Sequence, residues 1–439
     1  MTQEAQVGTR WAPVVALAVA MLAVTSEMTV AAVALPGTGA ELDVGPSATA
    51  WVLLAYTLPM AAVAIPAGRW VDRTDVRRAF LLATTGVGLA SALTALAPAF
   101  WVLLLGRVLQ GLAASLVVAG YLPVVVAAVA PHRRGRAVGY VMTIMTVGGM
   151  AGAPLGGLVA GAFGWRAVFL LKVPLLVVVV VLVLRSVRGD GRGLPFPDRG
   201  LWLEAVLLGG AVTAVLLAFE DRPWVALVAV ALAVLWARLP GSRPVLEMVR
   251  HGRFARPLVA LLVFAALGGL MFFLVPYYVT DVLGGGPEDV GVALLVFVGG
   301  VGALSAVAGT LADRYGPGLL ALVGAAVTVV GMLVLLLPVD DMGGLCWRLA
   351  VLGVGQGLFN AAINTLLMSV APAGAEGAVG GLSSTARMLG ATVGPAVAAL
   401  AADLAGNGVT GFRVGVAVLT ALAASGTAAL ATGRRDTGR

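Results

Sequence analysis

The sequence predicts an all-α polytopic membrane protein, built as two parallel six-helix bundles with two further helices inserted between them, fourteen transmembrane helices in all. Three observations predict it. The first is composition: of 439 residues 60% are hydrophobic and only 11% charged, with a mean hydropathy of +1.02. A water-soluble chain of this size cannot hide so much apolar surface. The second is the length of the apolar runs, which suits spanning helices of about 20 residues and shows no alternation of the kind a membrane barrel needs. The third is an internal repeat that relates the two ends of the chain.

The apolar segments run roughly 12–34, 49–68, 79–98, 100–129, 137–163, 167–186, 201–219, 223–238, 256–279, 290–312, 317–338, 346–370, 377–402 and 411–432. The eighth is the shortest. The first is too long for a signal-peptide core and lacks a convincing cleavage site, so it reads as helix 1. Charge is distributed unevenly over the loops. Alternate loops hold Arg69, Arg73, Arg77 and Arg78, then Arg133, Arg134 and Arg136, then arginines from Arg185 to Arg199 and from Arg238 to Arg256, then Arg314 and the terminal Arg434, Arg435 and Arg439. The other loops hold Glu41 and Asp43, Glu220 and Asp221, Asp281, Glu288 and Asp289, and Asp340 and Asp341. The positive-inside rule then puts both termini in the cytoplasm, which requires an even number of helices. The net charge of +7 follows from these loops and does not indicate nucleic acid. All but one of the 28 basic residues are arginine, Lys172 being the exception, which hints at a GC-rich bacterial genome.

The repeat is carried by four matches in the same order. "GRWVDRTD" from Gly68 corresponds to "GTLADRYG" from Gly309, and "QGL" from Gln110 to "QGL" from Gln356. Gly148 and Gly152 correspond to Gly390 and Gly394, and Pro36 to Pro276. The offsets all lie between 240 and 246 residues. They pair each helix with the one eight places later, so the copies share an orientation. The expected domains are 1–190, a first bundle; 191–250, a linker with inserted helices 7 and 8; and 251–439, a second bundle. Parallel halves around a central site form a transporter architecture that works by rocking one half against the other.

Polar residues inside spans are costly and mark function or helix–helix bonding. Glu27 stands about 15 residues into helix 1, roughly 23 Å along it. A carboxylate there, neutral when dry and charged when wet or paired, is suited to bind and release a proton or to meet a cationic substrate. Its counterpart in the second half is Leu267, so only one half has the switch. Arg107 lies within helix 4 with Gln110 on its face. Gln356, Asn360 and Asn364 form one polar stripe on helix 12, facing either substrate or another helix. Arg387 in helix 13 is a similar candidate. Tyr56 and Phe272 join the pathway candidates. Phe264, Phe273, Tyr277 and Tyr278 either line an apolar cavity or pack. Glu204, near the inner end of helix 7, reads as snorkelling to the surface.

The order of motifs resembles the fourteen-helix drug:proton antiporter branch of the major facilitator superfamily. After helix 2 that family shows G-x-x-x-D-R-x-G-R-R. Here Gly68, Asp72, Arg73 and Arg77 stand in the pattern, with Asp75 in place of the second Gly. The later copy has Gly309, Asp313, Arg314 and Gly316. Arg107, Gln110 and Gly111 match R-x-x-Q-G in helix 4. Gly148, Gly152, Pro154, Gly156 and Gly157 match the antiporter motif of helix 5, its proline displaced by one place. Glu27 and Thr29 before Val33-Ala34-Leu35-Pro36 stand where the branch carries Asp-x-Thr. In "GWRAVFLLKVP" Lys172 stands where Asn is common. The loop motif couples a carboxylate to arginines at the cytoplasmic surface, either as a latch for one face of the bundle or only as a topology signal. Exposed pairs of this kind are worth about 0–1 kcal/mol and break easily. The helix 5 glycines permit close packing, and the resemblance adds a role in sealing the outward leak.

The resemblance implies a proton-coupled antiporter that exports a small hydrophobic or cationic compound across a bacterial inner membrane, with Glu27 and Arg107 as the proton-coupling residues. It implies a monomer, powered by the proton gradient without a cofactor. A metabolite symporter or uniporter of the same fold is the alternative. A membrane enzyme has no support, since no G-x-S-x-G element, phosphate loop or metal-ligand cluster is present. One cysteine, Cys346, excludes an intrachain disulfide, and His132 and His251 are too far apart to suggest a shared metal.

Overall fold

The computed structural model describes residues 9–130, 133–187, 189, 191–196, 198–218, 224–239, 242, 250, 252–370, 376–406 and 408–437. The secondary structure there is helical. In chain order the helices are α1 (Trp11–Leu42), α2 (Pro46–Asp72), α3 (Val76–Ala95), α4 (Phe100–Ala128), α5 (Arg134–Phe163), α6 (Trp165–Ser186), α7 (Arg199–Ala218), α8 (Val225–Ala237), α9 (Phe254–Val282), α10 (Pro287–Tyr315), α11 (Pro317–Leu335), α12 (Met342–Ser369), α13 (Glu376–Leu404) and α14 (Gly408–Thr437). Among the described residues twelve are long and apolar enough to cross a membrane; α7 and α8 stand outside that set. The thirteen residues of α8 span about 20 Å at the usual rise, short of a roughly 30 Å hydrocarbon core. The α7–α8 pair packs on itself and, through α7, on α2. Glu220 and Asp221, between the two, lie outside the described residues, as do His132 and His251.

The two halves repeat their packing as well as their sequence. In the first, Gly111 of α4 lies against the Tyr56 carbonyl of α2; in the second, Gly357 of α12 lies against the Val301 carbonyl of α10. Gly148 and Gly152 of α5 meet Leu22, Ser26 and Thr29 of α1, and Gly390 and Gly394 of α13 meet Leu262 and Ala266 of α9. At each place a Cβ would collide with the neighbour, so the glycines set the interhelical distance. The matched glycines thus recur because the same helix contacts recur.

Two helices depart from regularity. α1 breaks at Ser26, and Glu27 opens its second segment. The hydroxyls of Thr25 and Ser26 donate back to Met21 O and Ala23 O (2.9 and 3.4 Å), and that of Thr29 to Ser26 O (2.8 Å). Such back-bonding competes with the helical ladder and bends it. α9 turns into π-helix over Leu270–Leu274 and Tyr278–Val282, around Pro276, which has no N–H to give to the ladder.

The turn between α2 and α3 holds the linker that follows α6. Asp75 is buried and caps α3: one carboxylate oxygen accepts from Arg78 N (2.9 Å), the other from Gly191 N (3.0 Å). The Asp75 N–H donates to Gly193 O (3.2 Å), and the Trp70 indole donates to Pro195 O (2.7 Å). Gly191 needs its positive φ of 80° to make this path.

Candidate functional site

A charged centre lies inside the first half. The break in α1 places Glu27 at the start of a helical segment. One of its carboxylate oxygens accepts from Arg107 Nη1 of α4, and the other pairs with Lys172 Nζ of α6. Lys172 reaches inward because α6 is interrupted by a turn at Leu171 and Lys172, ahead of Pro174 in the first turn of the next segment. Arg107 also donates from Nε to Val52 O (2.8 Å) of α2 and from Nη1 to Gln110 Oε1 (2.8 Å). Gln110 Nε2 continues to Ser91 Oγ of α3 (3.4 Å). The Tyr56 ring covers the guanidinium at 4.7 Å, and the Phe169 ring lies 5.5 Å from it and 6.0 Å from Lys172 Nζ. Glu27 is 1% exposed, Arg107 0% and Lys172 5%, so all three are sealed from both faces in this conformation. The centre holds two cations and one carboxylate. The structure brings Glu27 and Arg107 together, and Gln110, expected among the pathway candidates, is bonded to Arg107 instead. Tyr56 is corrected from pathway lining to the lid of this centre, where its hydroxyl donates to Val24 O (3.3 Å). Lys172 was missed. Its signal was available: it is the only lysine and stands inside an apolar run.

The second half carries a different polar group. Arg387 of α13 donates to Asn360 Oδ1 (3.1 Å) and Asn364 Oδ1 (3.0 Å) of α12. Among the described residues no carboxylate pairs with Arg387. Arg387 is half-buried and Asn364 exposed, and the neighbouring Met388 packs against the core of the first half. The α12 stripe divides here. Gln356 donates to the Phe264 carbonyl of α9 (2.9 Å) and holds two helices of one bundle together, so it leaves the pathway candidates. Phe264 stacks on Phe359 at 4.2 Å; further along α9, Phe273 and Tyr278 are buried, and with Tyr277 and Phe412 they line a small cavity of about 30 Å³. Phe272 is partly buried against the core.

The halves meet at the face that carries the acidic loops. Gly157 of α5 lies against Pro287, Glu288 and Gly291 at the start of α10, while Gly291 lies against Ala153 and Pro154. Tyr277 of α9 and Thr49 of α2 share a hydrogen bond of 2.5 Å across the halves. The helix 5 motif therefore does two jobs. Gly148 and Gly152 pack inside the first half, with Gly156 beside Val30, and Gly157 forms the seam between halves.

At the arginine-rich face the expected latch pairs differ. Asp72 is exposed and its backbone carbonyl, not its carboxylate, accepts from Arg192 Nη1 (2.8 Å). Arg73 pairs with Asp198 of the linker (2.5 Å), and Arg77 donates to Leu184 O (2.9 Å). Gly68 has open space around it. The buried carboxylate of this turn is Asp75, the residue that departs from the family pattern. Arg314 lies over the ring of Tyr315 at 5.3 Å, Gly316 ends α10 with a φ of 84°, and Gly309 and Asp313 lie outside the residues whose surroundings are described. Glu204 does not snorkel: it receives both Arg69 guanidinium nitrogens at 3.1 and 2.7 Å, joining α7 to α2.

An apolar pocket of about 350 Å³ lies between α2, α4, the linker and α7, lined by Val63, Trp70, Leu116, Pro195 and Trp202 among others. It is separate from the charged centre. No group of three or more His, Cys, Asp or Glu placed to hold a metal occurs among the described residues.

Comparison with known proteins agrees with this architecture. The tetracenomycin C resistance and export protein of Streptomyces glaucescens is 28% identical over 411 residues, 89% of this chain and 75% of that protein. The multidrug resistance protein Stp of Mycobacterium tuberculosis is 30% identical over 385 residues, 83% of this chain and 71% of that protein. Among solved structures, a bacterial homologue of the human lysosomal transporter Spinster superposes with a TM-score of 0.75 at 15% identity, covering 98% of both chains. The peptide transporter POT does so with 0.74 at 14% identity, covering 99% of this chain and 98% of that one. The sequence pattern of the Major Facilitator Superfamily matches residues 15–395, and the chain belongs to that superfamily.

Proposed function

We propose that this transporter is an exporter driven by proton antiport, moving a small, largely hydrophobic compound out of the cytoplasm. The observation that carries the reading is the sealed ion cluster of Glu27, Arg107 and Lys172 in one half only. Charges taken out of water at such cost persist where function uses them. A buried cluster that exchanges a proton only when a face opens to water couples protonation to the direction of opening. Relatives named for drug resistance and antibiotic export supply the direction. The fourteen-helix branch, with α7 and α8 as added spans, agrees with the arrangement of the repeat on either side of them. The arginine-rich face and both termini are then cytoplasmic, and the closed acidic face is the outer one. The proton gradient is the energy source, with no cofactor, and the working unit is a single chain.

The cluster bears on the cargo. Glu27 is saturated by two cations, so a cationic compound would have to displace one of them. Arg387, with two amide partners and no carboxylate among the described residues, offers donors to carbonyl or phenolic oxygens. This favours neutral, acceptor-bearing compounds, and tetracenomycin C, named in one relative, is a first test. Purified protein in liposomes should accumulate such a compound when a proton gradient is imposed and stop when a proton carrier collapses it. Equal movement with and without the gradient would refute antiport.

A further inference from the structure

We propose that the exchanged proton resides on Lys172 Nζ, and that Glu27 stays ionised through the cycle as the fixed counter-charge between two cations. The inference rests on the proton-coupled reading above and names the atom that carries the proton. It starts from charge counting. Glu27 receives Arg107 on one oxygen and Lys172 on the other. With all three ionised the centre holds one excess positive charge out of reach of water. The groups facing it from every packed element are few. α2 brings the Tyr56 ring and the Val52 carbonyl, α3 brings Ser91, α4 brings Gln110, and α6 brings Phe169. α5 presents Gly152 and Gly156 to α1 at this level. Among these described residues none supplies a second anion.

The guanidinium does not give up its proton in proteins. The electrically neutral form of the sealed centre is therefore Arg107 charged, Glu27 charged and Lys172 a free amine. When the centre becomes wet and takes up one proton, two sites compete. A free alkyl amine holds a proton about six orders of magnitude more tightly than a carboxylate does. Protonating Glu27 would also leave Arg107 without its counter-charge in a low-dielectric site, which such a site strongly opposes. Protonating Lys172 keeps both cations against one carboxylate. On release the Nζ–H bond breaks, its electron pair stays on nitrogen, and the proton passes to a water molecule as hydronium. Uptake at the opposite face is the reverse. The centre alternates between neutral and singly positive, and never passes through the doubly positive state that a neutral Glu27 beside two cations would create.

Three measurements on the full chain in liposomes test this. In pH-difference infrared spectra, no carboxylic-acid carbonyl band should respond to Glu27→Asp, because that carboxylate never takes the proton. A pH-dependent acid band that shifts in Glu27→Asp would overturn the assignment. Lys172→Arg keeps the charge and fills the site but cannot release a proton. Its gradient-driven accumulation of tetracenomycin C should fall by about a hundredfold, the scale of a lost proton-transfer group. Lys172→Gln, fixed in the neutral form, should lose gradient-driven accumulation equally but retain exchange of labelled for unlabelled compound. Gradient-driven accumulation by either variant at the rate of the unaltered protein would overturn the proposal, while no response to the gradient in the unaltered protein would instead remove the antiport reading beneath it.

Discussion

The two halves share a packing scheme and differ in what stands at its centre. In the first, the Glu27 carboxylate, the Arg107 guanidinium and the Lys172 amino group are sealed together under Tyr56 and Phe169. In the second, Leu267 takes the place of Glu27, and the half-buried Arg387 leans on two asparagines. Under the proposed function, divergence of the duplicated bundles separates two tasks that interfere at one site. A group that must be dry to store a charge difference cannot also stay open to varied cargo. A sealed, self-satisfied ion cluster has no valence left for a ligand, whereas an arginine held only by amides keeps its charge available. Under the proposed antiport function, energy coupling belongs to the first half and recognition to the second.

The largest effect should come from removing the anion of the first half. Glu27→Gln leaves Arg107 and Lys172 facing each other without a counter-charge, and breaking a buried pair in this way costs about 3–5 kcal/mol. We expect gradient-driven transport to vanish and the purified protein to melt earlier. Glu27→Asp keeps the charge on a shorter stem, as the resembling branch usually does, and should retain part of the activity. Gradient-driven accumulation in liposomes, alongside thermal melting, checks both. Normal transport by Glu27→Gln would break the division of tasks at its root.

Arg387→Gln should act on the other side of the division. Lost charge-assisted hydrogen bonds contribute about 1.5–3 kcal/mol each, so affinity for acceptor-bearing compounds should fall by roughly tenfold or more. The dependence of transport rate on the gradient should survive at saturating compound. If affinity is unchanged while the proton dependence is lost, the two halves do not divide the work as stated. Gly157→Ala probes the seam between them. A Cβ there would stand 2.6 Å from Pro287 O and 3.0 Å from Glu288 Cα, both backbone atoms that cannot yield alone. Overpacking costs about 1–3 kcal/mol. Because this cost falls on contact between the halves, it should favour conformations with the acidic face open. Cysteine labelling at Thr49 from that side should accelerate by several-fold.

Much of this was legible in the chain. Hydropathy and loop charge gave fourteen helices, of which twelve are long and apolar enough to cross a membrane. Most ends lie within a few residues of those expected, because each span must satisfy its backbone internally and show apolar side chains to lipid, but helix 1 runs on to Leu42. The repeat was legible because the matched glycines are fixed by interhelical contact. Glu27 and Arg107 stood out because charge inside a span is rare. The partnership with Lys172 was not legible: 145 residues separate the two, and the inward aim of Lys172 depends on a turn in α6 that hydropathy cannot show. The division of the α12 stripe escaped for a similar reason. Gln356, Asn360 and Asn364 share a helical face, but which helix covers each depends on the tilt of α9 and α13. The loop motif misled because Asp75 was counted as a lapse from the family pattern, whereas it holds the linker.

That turn also gives the smallest expected effect, and it sharpens the comparison at the arginine-rich face. The two copies of the motif end differently. Gly316 ends α10 with a left-handed φ of 84°, while Asp75 keeps an ordinary φ of −65° and caps α3 with its side chain. The second copy needs a glycine because the chain reverses there through a conformation that Cβ opposes. The first copy needs no such reversal and uses the position to bind Gly191 instead. Asp75→Ala removes the cap, worth about 1 kcal/mol, whereas glycine at a cap position costs only a few tenths. Both variants lose the bond to the linker. Asp75→Ala should therefore lower thermal stability slightly and Asp75→Gly less, with transport near that of the unaltered protein in each. Cleavage by trypsin after Arg192 should become faster in both, since Arg192 is held near the turn by its bond to Asp72 O and by the anchoring of Gly191 and Gly193. If Asp75→Gly instead abolishes transport while the linker stays resistant, the carboxylate takes part in closing the arginine-rich face, and the first copy is a latch after all.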